Sequence, residues 1–99
     1  MSKLKNIHPG EILKEEFLEP LGITAYRLSK DTFIPQTRIS EILKGKRRVT
    51  ADSALRFAKY FGTSAKFWLG LQDDYDLEKE GKSKKSELAE IPRINTNAA

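Results

Sequence analysis

Residues 24–48, TAYRLSKDTFIPQTRISEILKGKRR, decide how this chain is read. The stretch reads as two short helices joined by a tight turn and closed by a glycine and a basic run. Thr24 suits the N-cap of the first helix, expected over Ala25–Thr32, because a threonine hydroxyl can accept from an early helix amide. Pro35 disfavours helical geometry at Ile34, so the chain breaks there. Pro35 can then open the second helix, expected over 35–44, and Gly45 stops it as a glycine just past a helix end does. Leu28, Ile34, Ile39, Ile42 and Leu43 are the apolar set. A helix that buries Ile39, Ile42 and Leu43 turns Thr37, Arg38, Glu41 and Lys44 towards other faces. Such a helix, with Gln36, Thr37, Arg38 and Ser40 near its start, can present hydrogen-bonding groups to base edges in a DNA major groove.

The flanks extend the helical pattern. Downstream, Thr50 caps a further helix with Asp52 in its first turn, and Ala51, Ala54, Leu55, Ala58 and Phe61 recur at helical spacing before Gly62. Thr63 or Ser64 starts another, with Phe67, Trp68, Leu71 and Tyr75 as its apolar stripe and Phe67 and Trp68 expected in the core. Gly70 inside it costs about 1 kcal/mol of helix propensity, which implies that packing holds the helix or that a partner approaches closely. Upstream, Pro9 and Glu11 suit a helix start, and Ile12, Leu13, Phe17 and Leu18 share a face. Pro20 is expected to end that helix near Glu19. His8 beside it reads as a cap or a surface residue. Residues 1–7 and 81–99 are polar, the latter expected to be flexible, with Leu88, Ile91 and Ile94 around Pro92 able to dock elsewhere. No segment alternates as a strand. The expectation is an all-α, five-helix domain over 8–80 with a helix-turn-helix, and a polar C-terminal tail over 81–99.

The bulk numbers bound the function. Ninety-nine residues at 38% hydrophobic make one modest core. The absence of cysteine excludes disulfides and thiol metal sites. No apolar run reaches the ~18 residues of a membrane helix, and MSKLKNIHPG lacks an apolar signal region, so a cytoplasmic protein is expected. The net charge of +4 is uneven: residues 1–60 hold 12 Lys or Arg against 7 Asp or Glu, and 61–99 hold 6 against 7. A local basic excess suggests a polyanion partner. A single histidine, no glycine-rich phosphate loop and no nucleophile elbow argue against an enzyme. Glu15 and Glu16 diverge on their helix and form no acid–base pair. No cofactor or metal is expected.

Three blocks in order, HPGEILKEEFLEPLG, then RISEILKGKRRVTADSALRFAKYFGTS, then FWLGLQDDYDL, resemble the lambda-repressor-like helix-turn-helix domains over about residues 8–77. Within that family they look like the HigA-type antitoxins, also called virulence-associated protein I. Ser29 and Phe33 depart from the family pattern, which has alanine in the first helix of the motif and glycine in the turn. A bulky residue with positive φ is strained, so the turn is expected to follow another path or to bury Phe33.

The resemblance implies a dimeric repressor of its own operon on a palindromic DNA operator. It also implies an antitoxin that blocks a small RelE-like mRNA interferase. On that reading Gln36, Thr37, Arg38 and Ser40 contact bases, with glutamine suited to adenine and arginine to guanine. The bland alternative for these four is a solvated helix face. Lys44, Lys46, Arg47 and Arg48 hold phosphates, with Thr24 and Arg27 beside them; the alternative is a basic solubility patch. Leu71, Tyr75 and Leu77 are expected at a homodimer interface. Asp73, Asp74 and Asp76 are either solvated or face a basic ribonuclease toxin. The competing readings are a stand-alone regulator without a toxin, and a protein-interaction module whose basic face meets an acidic protein.

Overall fold

The computed structural model describes residues 5–95, and those residues are helical with no strand. The first helix, α1, covers residues 9–21 as three contiguous parts: Pro9–Ile12, a wider-wound Leu13–Leu18 and Glu19–Leu21. Then come α2 (Ala25–Thr32), α3 (Gln36–Leu43), α4 (Ala51–Phe61), α5 (Ala65–Ser83) and a short α6 (Lys85–Ala89). The chain is elongated, 53 × 33 × 24 Å, because the end of α5 runs beyond the core.

The core collects one side from every long helix. Leu13, Leu18, Leu28, Ile34, Ile39, Ile42, Val49, Ala54, Phe57 and Trp68 are buried together. Trp68 is enclosed by Phe17, Phe57 and Phe61, with ring centroids 4.9, 5.2 and 6.1 Å away. Its indole N–H donates to Thr63 Oγ1 at 2.8 Å, so the one polar atom of this large ring is satisfied. Phe67, expected in the core, instead lies on its outside, 39% exposed, edge-on to Trp68 at 5.1 Å. Gly10 lets α1 touch α3: a Cβ there would sit 1.8 Å from the carbonyl oxygen of Ile42.

Several helix ends follow the side chains that cap them. Thr24, Thr50 and Ser64 each accept from the amide three residues on. Gly45, at φ 74°, closes α3, with its own N–H donating to the Ile42 carbonyl and that of Lys46 to Glu41. Pro35 sits just outside α3, where its carbonyl accepts from Arg38 and Ile39. His8 caps α1, its Nδ1 accepting from Gly10 N–H at 2.9 Å.

Two expectations about helix ends give way. The first helix does not stop at Glu19 but passes through Pro20 to Leu21. The wider turns preceding it, with Glu19 N–H reaching back five residues to Lys14 O, relieve the register in which the proline ring would clash. The helix of the last stripe does not end at Glu80 either; it crosses Gly81 to Ser83, and α6 follows inside the stretch read as a tail. Its charges sit at helical spacing, with Glu78–Lys82 and Glu80–Lys84 pairs at 3.0 Å. At Gly70 a Cβ would meet nothing within 4 Å among the described residues.

Candidate nucleic-acid interface

The turn between α2 and α3 sets the interface. Phe33 adopts the left-handed conformation, φ 60°, that a glycine would adopt there. Its ring does not fill a gap but stands 82% exposed. Ser29 steadies the same turn by donating from Oγ to the Ile34 carbonyl. Ile34 is buried, which turns the chain into α3 at Gln36.

Ile39 and Ile42 bury one side of α3 in the core. Gln36 and Thr37 in its first turn are exposed, and Ser40, one turn on, is half-buried. Glu41 and the exposed Lys44 complete that outer side. Arg38 departs from the expected exposure. Its side chain is only 25% exposed and leans against the start of α4, where Nη2 meets Asp52 Oδ2 at 3.1 Å. Its Nε is buried and has no partner. The rotation that buries Ile39 and Ile42 leaves position 38 at the flank of α3, facing α4.

A basic rim surrounds α3. Lys44, Lys46, Arg47 and Arg48 are all exposed at its C-terminal end and in the following loop. Thr24 and Arg27 are exposed at the start of α2. Thr24 spends its oxygen as a cap, accepting from Arg27 N–H at 3.0 Å, and its hydroxyl proton stays available.

Each arginine of this surface has a carboxylate beside it, a feature the sequence reading did not anticipate. Arg27 pairs with Asp31 at 3.3 Å, Arg47 with Glu41 at 2.6 Å and Arg48 with Asp76 at 3.0 Å. Among the described residues Lys44 and Lys46 make no ion pair, so they are the cations most readily given to phosphate. The Tyr60 hydroxyl donates to Asp31 and, with Arg27, holds that carboxyl below the usual carboxylate range. Arg56, then Arg38, do the same for Asp52. These pairs are largely solvent-exposed, so they orient side chains more than they stabilise the fold.

The loop from Gly45 to Val49 is fixed from below. Gln72, buried in α5, accepts from Val49 N–H at 2.6 Å and donates to Asp76 Oδ1 at 3.0 Å. Asp76 then holds Arg48. A glutamine inside an otherwise apolar stripe was the available sequence signal for this network.

The expected dimer residues separate. Leu71 is half-buried against the core. Tyr75 packs on His8 with centroids 4.9 Å apart, and its carbonyl accepts from Asn6, which ties the N-terminal segment to α5. Only Leu77 is open, at 71% exposure, and the exposed Leu88, Ile91 and Ile94 lie beyond it. Among the described residues no group of His, Asp or Glu has the spacing of a metal site, and no helix is long and apolar enough to cross a membrane.

The helix-turn-helix family model matches residues 14–68. Virulence-associated protein I of Dichelobacter nodosus is 43% identical over 97 residues, 98% of this chain and 89% of that protein. An addiction module antidote protein of the HigA family from Coxiella burnetii has 43% identity and a TM-score of 0.86, over 92% of this chain and all of that one. The Pseudomonas aeruginosa antitoxin HigA, solved with the higBA promoter, has 34% identity and a TM-score of 0.88 over the same shares. An α3 with an open polar start and a basic rim agrees with that company, and the chain belongs to the helix-turn-helix family, in the HigA antitoxin group of DNA-binding regulators rather than among enzymes.

Proposed function

We propose that the chain represses its own operon and neutralises a small RelE-like mRNA interferase toxin, acting in the cytoplasm. The observation that carries the DNA half is the outer side of α3. Exposed Gln36 and Thr37 stand at its start, and Lys44 and Lys46, which make no ion pair among the described residues, at its end. Gln36, Thr37 and Ser40 contact base edges, and Arg38 joins them by leaving Asp52 for a guanine. Lys44, Lys46, Arg47 and Arg48 hold phosphates on one side of the groove, with Thr24 and Arg27 on the other.

Two copies related by a two-fold axis read a palindrome, with their α3 helices about 34 Å apart. The projecting end of α5 and the residues after it supply apolar surface for that pairing through Leu77, Leu88, Ile91 and Ile94. Leu71 and Tyr75 support it from behind. Asp73 and Asp74, exposed on α5, suit a basic ribonuclease.

The test pairs a reporter driven by the DNA upstream of the chain's own gene with a growth assay of the adjacent small gene. Repression of the reporter and relief of growth arrest by this chain are the expected results. Repression without relief leaves a stand-alone regulator. Relief without repression removes autoregulation.

A further inference from the structure

We propose that Gln72, buried in α5, is a positioning residue for DNA binding: through the Val49 amide it holds the Lys46–Arg48 span in the form that meets phosphates. The inference rests on the proposed phosphate role of that span. The first observation is chemical. Gln72 is 1% exposed, where an apolar side chain of the same size would cost less to bury. Its Oε1 accepts from Val49 N–H at 2.6 Å, and its Nε2 donates to Asp76 Oδ1 at 3.0 Å. An N–H can only donate and an ionised carboxylate only accepts, so these two partners fix the amide in one orientation. A primary amide of this reach serves both at once, and a hydrocarbon serves neither.

The second observation is where that bond falls. The span leaves α3 held by two main-chain bonds, Gly45 N–H to Ile42 O at 3.0 Å and Lys46 N–H to Glu41 O at 2.8 Å. Among the described residues Arg47 and Arg48 make no main-chain hydrogen bond. The next hold on the backbone is Val49 N–H, and it goes to Gln72. Val49 is buried, so without Gln72 its N–H is an orphaned donor and the backbone shifts to find water. The same amide steadies Asp76, whose Oδ2 accepts from Arg48 Nη2 at 3.0 Å. Arg48 uses one N–H of its guanidinium fork there, and the others reach a phosphate with the Asp76 contact intact. A long side chain that is ordered only on binding lowers affinity by about 2- to 10-fold. Gln72 moves that ordering into folding. The gain is independent of sequence, because phosphates carry no sequence information.

The test measures binding of the full chain to a duplex taken from upstream of its own gene and to a shuffled duplex of the same composition. Each variant is measured over a salt series and well below its own melting temperature. Gln72→Met keeps the length of the side chain and removes both polar groups. It is expected to weaken both duplexes alike, by roughly 10-fold. Arg48→Ala is expected to make the salt slope shallower by about 0.9. The losses from Gln72→Met and Arg48→Ala are expected to combine to less than their product, because Arg48 is already misplaced in the first variant. The losses from Gln72→Met and Lys44→Ala, at the end of α3 itself, are expected to multiply. Should Gln72→Met fail to fold, Gln72→Asn carries the same comparisons, since it keeps the amide and is one methylene too short for both partners. A lowered melting temperature with wild-type binding would make Gln72 a structural residue alone and overturn the proposal. Losses that multiply with Arg48→Ala would overturn it too, as would a loss confined to the upstream duplex, which acts through α3. Arg48→Ala and Lys44→Ala that both bind as wild type overturn the phosphate reading itself, and the positioning role with it.

Discussion

Phe33 occupies a backbone position suited to glycine and leaves its ring in water. Left-handed geometry costs a residue with a Cβ roughly 1–2 kcal/mol, and a residue left 82% exposed buries little to offset it. Phe33→Gly is therefore expected to stabilise the fold by about 1 kcal/mol, after the greater chain entropy of glycine is allowed for. A urea titration measures it, and a destabilised variant would mean that the ring contributes to packing. His8 is the other residue with a conditional role. Burial holds its pKa below 6.5, with Asp76 opposing that shift and Lys79 adding to it. A cap that accepts through Nδ1 must be neutral. Its contribution is therefore complete above 6.5 and is lost as pH falls through the lowered folded value. His8→Asn, which keeps an acceptor and does not titrate, is expected to flatten stability against pH just below 6.5, in parallel melts across that window. An unchanged slope would assign the loss to other groups. Sequence alone flagged Phe33 as a departure and His8 as a cap or a surface residue. It did not give the direction of the Phe33 ring, because burial depends on the neighbours that α4 brings to the turn.

At the scale of the helices, the legible parts were those written locally. Thr24, Thr50 and Ser64 mark starts, and Gly45 and Gly62 mark stops, because cap and left-handed geometry depend on a few adjacent residues. Pro20 misled for the converse reason, since its local cost was overridden by a change of winding. The polar composition after Glu80 misled because it hid charges that pair at helical spacing. The flank position of Arg38 was hidden similarly, since α3 can be placed on its wheel from Ile39 and Ile42 but the reach of Asp52 across from α4 cannot. Gly10 is the clearest inter-helix constraint. Gly10→Ala would drive a Cβ into the backbone of Ile42. We expect it to cost about 3 kcal/mol by parting α1 from α3, and to weaken DNA binding through the displaced α3. A melting curve beside a binding curve checks both, and a fully stable variant would contradict the contact.

For the whole molecule, the core and the α3 surface form one unit and the α5 end projects from it. The basic excess of the first sixty residues was legible as an attraction for polyanions, but charge does not specify which. The fold does more, because it leaves Gln36 and Thr37 exposed at the start of α3 while the isoleucines hold the opposite side. The arginine–carboxylate pairs around that surface lower its attraction for any polyanion and leave the polar start of α3 to decide. The most direct measurement is binding of the chain to its own upstream DNA and to shuffled DNA across a salt series. The account predicts a preference for the upstream DNA of roughly 10³-fold or more. It also predicts a steep linear fall of log affinity with log salt on both duplexes, since each phosphate neutralised contributes about −0.9 to the slope. Equal affinity for the two duplexes at every salt concentration would contradict it.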